Sequence, residues 1–108
     1  MSKKAIIITD GTESINLAAK EISGKLDNCK AKIIKADKFS PETLLPADIF
    51  FIGCENPKPS SFNYLEDVLL HINLAKRECG IFSPNEKTLV YLKKILKDCE
   101  AEVKVWSL

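Results

Sequence analysis

The sequence has no apolar run near the roughly 18–20 residues that a membrane span requires. Its apolar runs, such as Ala5–Ile8 and Ile49–Ile52, are long enough only for a strand. It also has little excess charge, since 16 basic and 15 acidic residues leave a net +1. Nucleic-acid binders usually carry a strongly basic footprint, so that partner class is not expected. The chain has one histidine, and none of its four cysteines (Cys29, Cys54, Cys79 and Cys99) is paired as Cys-x-x-Cys. No zinc site of ordinary spacing can be built from that set, and no metal is expected. Free thiols in a reducing compartment are the natural state. The opening Met1-Ser2-Lys3-Lys4 is followed by only four apolar residues, too few for a signal peptide. A cytoplasmic location with no membrane partner is therefore expected.

What remains is ordinary globular composition, 45% hydrophobic and 29% charged over 108 residues. That suits a single domain over 1–108 with one core. Lysines cluster at Lys30, Lys32, Lys35 and Lys38, and again at Lys93, Lys94 and Lys97. Both groups read as solvated faces.

Two continuous apolar runs predict strands buried on both sides, at Ala5–Thr9 and Asp48–Gly53. Further strands are predicted at Ala31–Ala36, Glu78–Phe82 and Glu102–Trp106. A helix over about Ser14–Leu26 follows from the stripe Ile15, Ala18, Ala19, Ile22 and Leu26. A second, over about Phe62–Leu74, follows from Phe62, Leu65, Leu69 and Ile72. A third carries Leu89, Leu92, Ile95, Leu96 and Cys99. Ser83-Pro84-Asn85-Glu86 reads as the capping box that opens it, with Ser83 as cap. Between Asp37 and Ala47 only a short turn is predicted, started by Ser40-Pro41-Glu42 and stopped by Pro46. The order β-α-β-β-α-β-α-β predicts a doubly wound α/β fold. Right-handed crossovers favour a five-stranded parallel sheet in the order 2-1-3-4-5, with no last helix.

In such sheets ligands bind beyond the carboxyl ends of the strands. The first loop there is Thr9-Asp10-Gly11-Thr12-Glu13-Ser14. Its hydroxyls lie at a helix amino end, where free N–H groups suit a phosphate. Asp10 and Glu13 oppose a phosphate unless they point to water. The same residues also suit a plain turn at Asp10-Gly11, capped by Thr12 or Ser14. Taken alone they favour the plain turn.

Ile6 to Ser14 resembles the first strand and phosphate loop of flavodoxins, whose loop has the form Ser/Thr-x-Thr-Gly-x-Thr. Thr9 matches its first position and Ser14 its last, while Gly11-Thr12 inverts the family's Thr-Gly. Ala47 to Cys54 is similar to the family's third strand, and Ala101-Glu102-Val103 to its approach to strand five. The resemblance implies an electron carrier, not a catalyst, that holds FMN and meets a redox partner protein. It implies a phosphate on Thr9, Asp10, Gly11, Thr12, Glu13 and Ser14. It implies a flavin ring between Cys54, Glu55 and Asn56 on one side and Ser83, Pro84 and Asn85 on the other. The family's ring loops carry stacked aromatics; here the first aromatics are Phe62 and Tyr64. Flavodoxins are also strongly acidic and end in a further helix.

The alternative is a cofactor-free domain of this fold acting as a binding module. Its uncovered strand five would offer an edge for a partner or a homodimer. Trp106 is expected to pack at the sheet edge, Cys54 to be a small buried residue, and His71 to be structural. Related chemistries fail on single residues. A response-regulator receiver needs Asp where Gly53 stands. A sugar-phosphotransferase B domain needs Cys where Asp10 stands. A low-molecular-weight tyrosine phosphatase needs Cys and Arg in the first loop, and the lone arginine is Arg77.

Overall fold

A computed structural model describes residues 3–26 and 29–106; residues 1–2, 27–28 and 107–108 lie outside the described part. The strands are β1 (Lys3–Thr9), β2 (Cys29–Lys35), β3 (Ile49–Gly53), β4 (Glu78–Phe82) and β5 (Glu102–Val105). The helices are α1 (Glu13–Lys25), a single turn α2 (Pro41–Leu44), α3 (Asn63–His71) and α4 (Glu86–Ile95). All strand pairs are parallel, in the order β2-β1-β3-β4-β5. This is the order predicted from the alternation of apolar runs and helical stripes. No helix follows β5 among the described residues.

Side chains alternate across each strand, so the sheet feeds two cores. Ile6, Ile8, Phe50, Ile52, Cys79 and Ile81 face α3, α4 and the short turns. Ile7, Phe51 and Phe82 face α1, meeting its stripe of Ile15, Ala18, Ala19 and Ile22. Beyond α1 the second face is covered by Trp106, which packs edge-on against Phe51 with ring centroids 4.8 Å apart. Gly80 lets these rings approach, because a Cβ there would overlap Phe51 and stand 2.9 Å from Trp106. Trp106 thus packs against the sheet, as expected.

Several boundaries differ from the sequence reading: β1 begins at Lys3, β2 spans Cys29–Lys35, and α4 ends at Ile95 before Cys99. The stretch Ser60–Phe62 is a separate 3-10 turn, and α3 stops at His71 instead of Leu74. Ile72 is extended (φ −108°, ψ 144°), and Asn73 Oδ1 accepts from the Ala75 N–H at 2.9 Å. That Asx-type turn competes with the helical backbone. Leu74 is buried all the same, its N–H donating to the Cys99 carbonyl at 2.7 Å. The cap of α4 is Asn85, not Ser83: Asn85 Oδ1 accepts from the Lys87 N–H at 3.1 Å. Asn caps as well as Ser does, and the helix that starts two residues later buries Thr88, Tyr91 and Leu92.

Candidate functional site at the strand ends

The carboxyl ends of β1, β3 and β4 bring the three predicted loops together. Thr9 is fully buried where β1 ends, its register partner on β3 being Gly53. Its hydroxyl donates to Asn16 Oδ1 (3.1 Å) and accepts from the Gly11 N–H (3.3 Å). Gly11 then turns with φ 85°, a conformation that favours glycine. The Lys35 side chain passes over it, its Cε 3.3 Å from where a Cβ would stand. Thr12 is the backbone cap of α1, but its hydroxyl makes no capping bond.

The reason is Asp10. Its Oδ1 accepts from both the Thr12 N–H (2.9 Å) and the Thr12 hydroxyl (2.7 Å). Its Oδ2 accepts from the Glu55 N–H (2.8 Å), 45 residues away in sequence. The carboxylate therefore faces into the loop and not to water. It lies beside the amino end of α1, bonded to the N–H of the cap residue Thr12, where negative charge is favoured.

Glu55 ties the loops together. Besides its N–H, its carbonyl accepts from the Thr88 hydroxyl on α4 (3.0 Å), and its carboxylate accepts from the Ser14 hydroxyl (2.9 Å). Thr88 is fully buried, and this bond satisfies it. The loop before α4 is closed locally, with Ser83 Oγ accepting from the Asn85 N–H at 3.2 Å. Glu13, Asn56 and Pro84 are exposed and make no described side-chain hydrogen bond.

Cys54 is fully buried beneath this seam. Burial first, and the Asp10 carboxylate second, push its thiol up to about 12. It therefore stays protonated and inert at neutral pH. Among the described residues no group of three potential ligands converges on a metal position.

The three loops named from the sequence lie together at the strand ends, and three residues not named there also contact them: Asn16, Lys35 and Thr88. Thr88 carried a signal, as a polar residue in an otherwise apolar helical stripe with Tyr91, Leu92 and Leu96. Lys35 and Asn16 carried none.

In this arrangement Asp10 already holds the Thr12 donors and the Glu55 N–H, and Ser14 is bound to Glu55. A phosphate placed there would meet two carboxylates at short range, a repulsive arrangement. Phe62 and Phe82 are fully buried and offer no face for stacking, Trp106 is packed edge-on with Phe51, and Tyr64 stands against Phe39 with ring centroids 5.7 Å apart. The residues present do not fit FMN in this arrangement.

No family model and no curated protein matches the chain. Solved structures do resemble it. A short-chain flavodoxin associated with a non-canonical PDU bacterial microcompartment is 15% identical, with a TM-score of 0.73 over 97% of this chain and 82% of that one. The flavodoxin of Streptococcus pneumoniae TIGR4 is 17% identical, with a TM-score of 0.76 over 94% of this chain and 83% of that one. A mutant flavodoxin of Fusobacterium nucleatum, solved with flavin mononucleotide bound, is 13% identical, with a TM-score of 0.76 over 96% and 69%. Among the described residues no helix is long and apolar enough to cross a membrane. Sheet order, helix placement and these neighbours agree that the protein has the flavodoxin-like fold.

Proposed function

We propose that this chain is a flavodoxin-like domain that works without a resident flavin, as a module that binds another protein. One observation carries the reading. The Asp10 carboxylate accepts from the Thr12 N–H and hydroxyl and from the Glu55 N–H, and so takes donors that a phosphate in this loop would use. An internal anion on a helix amino end satisfies the same donors and favourable dipole as a bound one. Glu55 then seals the gap between the first and third loops, which leaves the strand ends closed. Its unpaired cysteines support a cytoplasmic setting for this reading.

Titration with FMN tests this. The purified protein is expected to lack flavin absorbance and to leave the fluorescence of added FMN unchanged. Visible flavin after purification, or saturable quenching of FMN, overturns the reading.

A second reading is an FMN-binding electron carrier that meets a redox partner. It draws support from the fold shared with flavodoxins and from the turn at Gly11, whose φ of 85° directs the chain into α1. In that reading Asp10 leaves the loop, and Thr9 to Ser14 take the phosphate. Asp10→Ser separates the two. If Asp10 is the obstacle, the variant gains FMN affinity over the parent.

A further inference from the structure

We infer that the groove between α3 and α4 docks an acidic, partly apolar segment of a partner protein. The inference rests on the reading of this domain as a protein-binding module, and it names the surface and the chemistry of the partner. The groove encloses about 640 Å³, within the roughly 300–1,000 Å³ typical of binding clefts. It lies between the outer sides of the two helices and reaches the loop after β3 through Pro57 and Lys58.

Its floor is apolar and open. Leu70 on α3 is 57% exposed and Val90 on α4 is 68% exposed, with half-buried Ile95 beside them. Its rim is basic. Lys87, Lys94 and Lys97 line it with Val90, at spacings of i, i+3, i+7 and i+10 that form one stripe. The opposite stripe of α4, including Thr88, Tyr91 and Leu92, is already buried in the core. Lys58 completes the rim from the loop after β3, in left-handed backbone with φ 51°.

The charge of the groove indicates its occupant. Four lysines line it against two carboxylates, Glu66 and Asp98. Glu66 is engaged inward, accepting from the Tyr91 hydroxyl at 3.0 Å. Among the described residues the only ion pairs are His71–Asp67 and Lys104–Glu78, so none of the four rim lysines is paired. An amphipathic helix with apolar anchors at i, i+3, i+4 and i+7 and acidic flanks would fill the floor and neutralise the rim. Lysine stems would lie along its apolar side while their ammonium groups reach its carboxylates. A nucleic acid would leave the Leu70–Val90 floor without a partner.

The test uses the full chain, labelled with ¹⁵N, and a synthetic helical peptide. The peptide carries Leu at the anchor positions and Glu elsewhere, and a control replaces each Glu by Lys. The acidic peptide is expected to shift amide signals of Leu70, Val90 and Lys94, and to bind more weakly as salt rises. Val90→Glu and Lys94→Glu change exposed side chains, so the fold should survive, as circular dichroism can verify. Each is expected to weaken binding by about tenfold or more. Equal binding of the basic peptide, unchanged affinity in both variants, shifts elsewhere, or no shifts at all overturn the proposal. So does an oligothymidylate that binds the same residues in place of the acidic peptide. FMN is titrated into the same sample: quenching overturns the flavin-free reading, whereas a silent FMN titration with no peptide binding overturns the groove alone.

Discussion

Replacing Asp10 by Ala removes the acceptor for three donors at once, and its effect can be worked out from the geometry. The two bonds to Thr12 hold the turn before α1, and they act as a helix cap displaced by two residues. Loss of such a cap costs about 1 kcal/mol. The bond from the Glu55 N–H joins β1 to the loop after β3 and is partly buried. A hydrogen bond to a charged acceptor contributes about 1.5–3 kcal/mol, with the lower end suited to a partly exposed one. The total is a loss of about 2–3 kcal/mol. At an unfolding entropy of about 2.1 cal/mol/K per residue, that lowers Tm by about 10 °C. Thermal and urea unfolding followed by circular dichroism measure it. Asp10→Asn is the sharper control. Its Oδ1 still accepts from Thr12, but its amide group meets the Glu55 N–H donor to donor. It should lose the long-range bond only, and fall between the parent and Asp10→Ala. A Tm of Asp10→Ala within about 2 °C of the parent would refute the argument that this carboxylate organises the strand ends. Stronger FMN quenching by the parent than by Asp10→Ala would refute the argument that it blocks a phosphate.

Gly53→Ala would place a methyl group in the Phe82 ring, and backbone movement at the end of β3 should destabilise the protein by about 1–3 kcal/mol in urea. Thr88→Val keeps the shape but leaves the Glu55 carbonyl without its donor, so a loss of about 1–2 kcal/mol is expected by the same assay. With a thiol reagent at pH 8, Cys29 alone should react in the native protein, since Cys54, Cys79 and Cys99 are buried; all four should react in denaturant. Stability should also fall in alkali. Burial raises the Cys54 thiol to about 12 and pushes Cys79 and Cys99 upward as well. Between the ordinary thiol value near 9 and those folded values, the unfolded chain binds fewer protons than the folded one. Unfolding free energy therefore stays level below pH 9 and declines above it, which denaturant melts at pH 7, 9 and 10 would show.

The sequence by itself determined the layers of this protein. Ile6–Ile8 and Phe50–Ile52 are too apolar for a strand with one wet face, so a sheet covered on both sides was legible at once. Alternation of those runs with the helical stripes then left one strand order as the natural winding. The sequence also marked Asp10-Gly11 as a turn, because both residue types carry that preference locally. It could not show where the Asp10 carboxylate would point. That depended on the Glu55 N–H, which only the crossover from β1 to β3 brings within 2.8 Å. The bonds of Glu55 to Ser14 and Thr88, and the packing of Trp106 on Phe51, are likewise contacts between distant segments. The lysines of α4 are exposed, as their pattern predicts, but the sequence could not show that Leu70 of α3 and Val90 of α4 line one groove with Lys87, Lys94 and Lys97. Local patterning sets elements and turns, because period and backbone preference act over a few residues. Hydrogen-bond partners and grooves depend on which segments the fold brings together, and only the tertiary structure decides that.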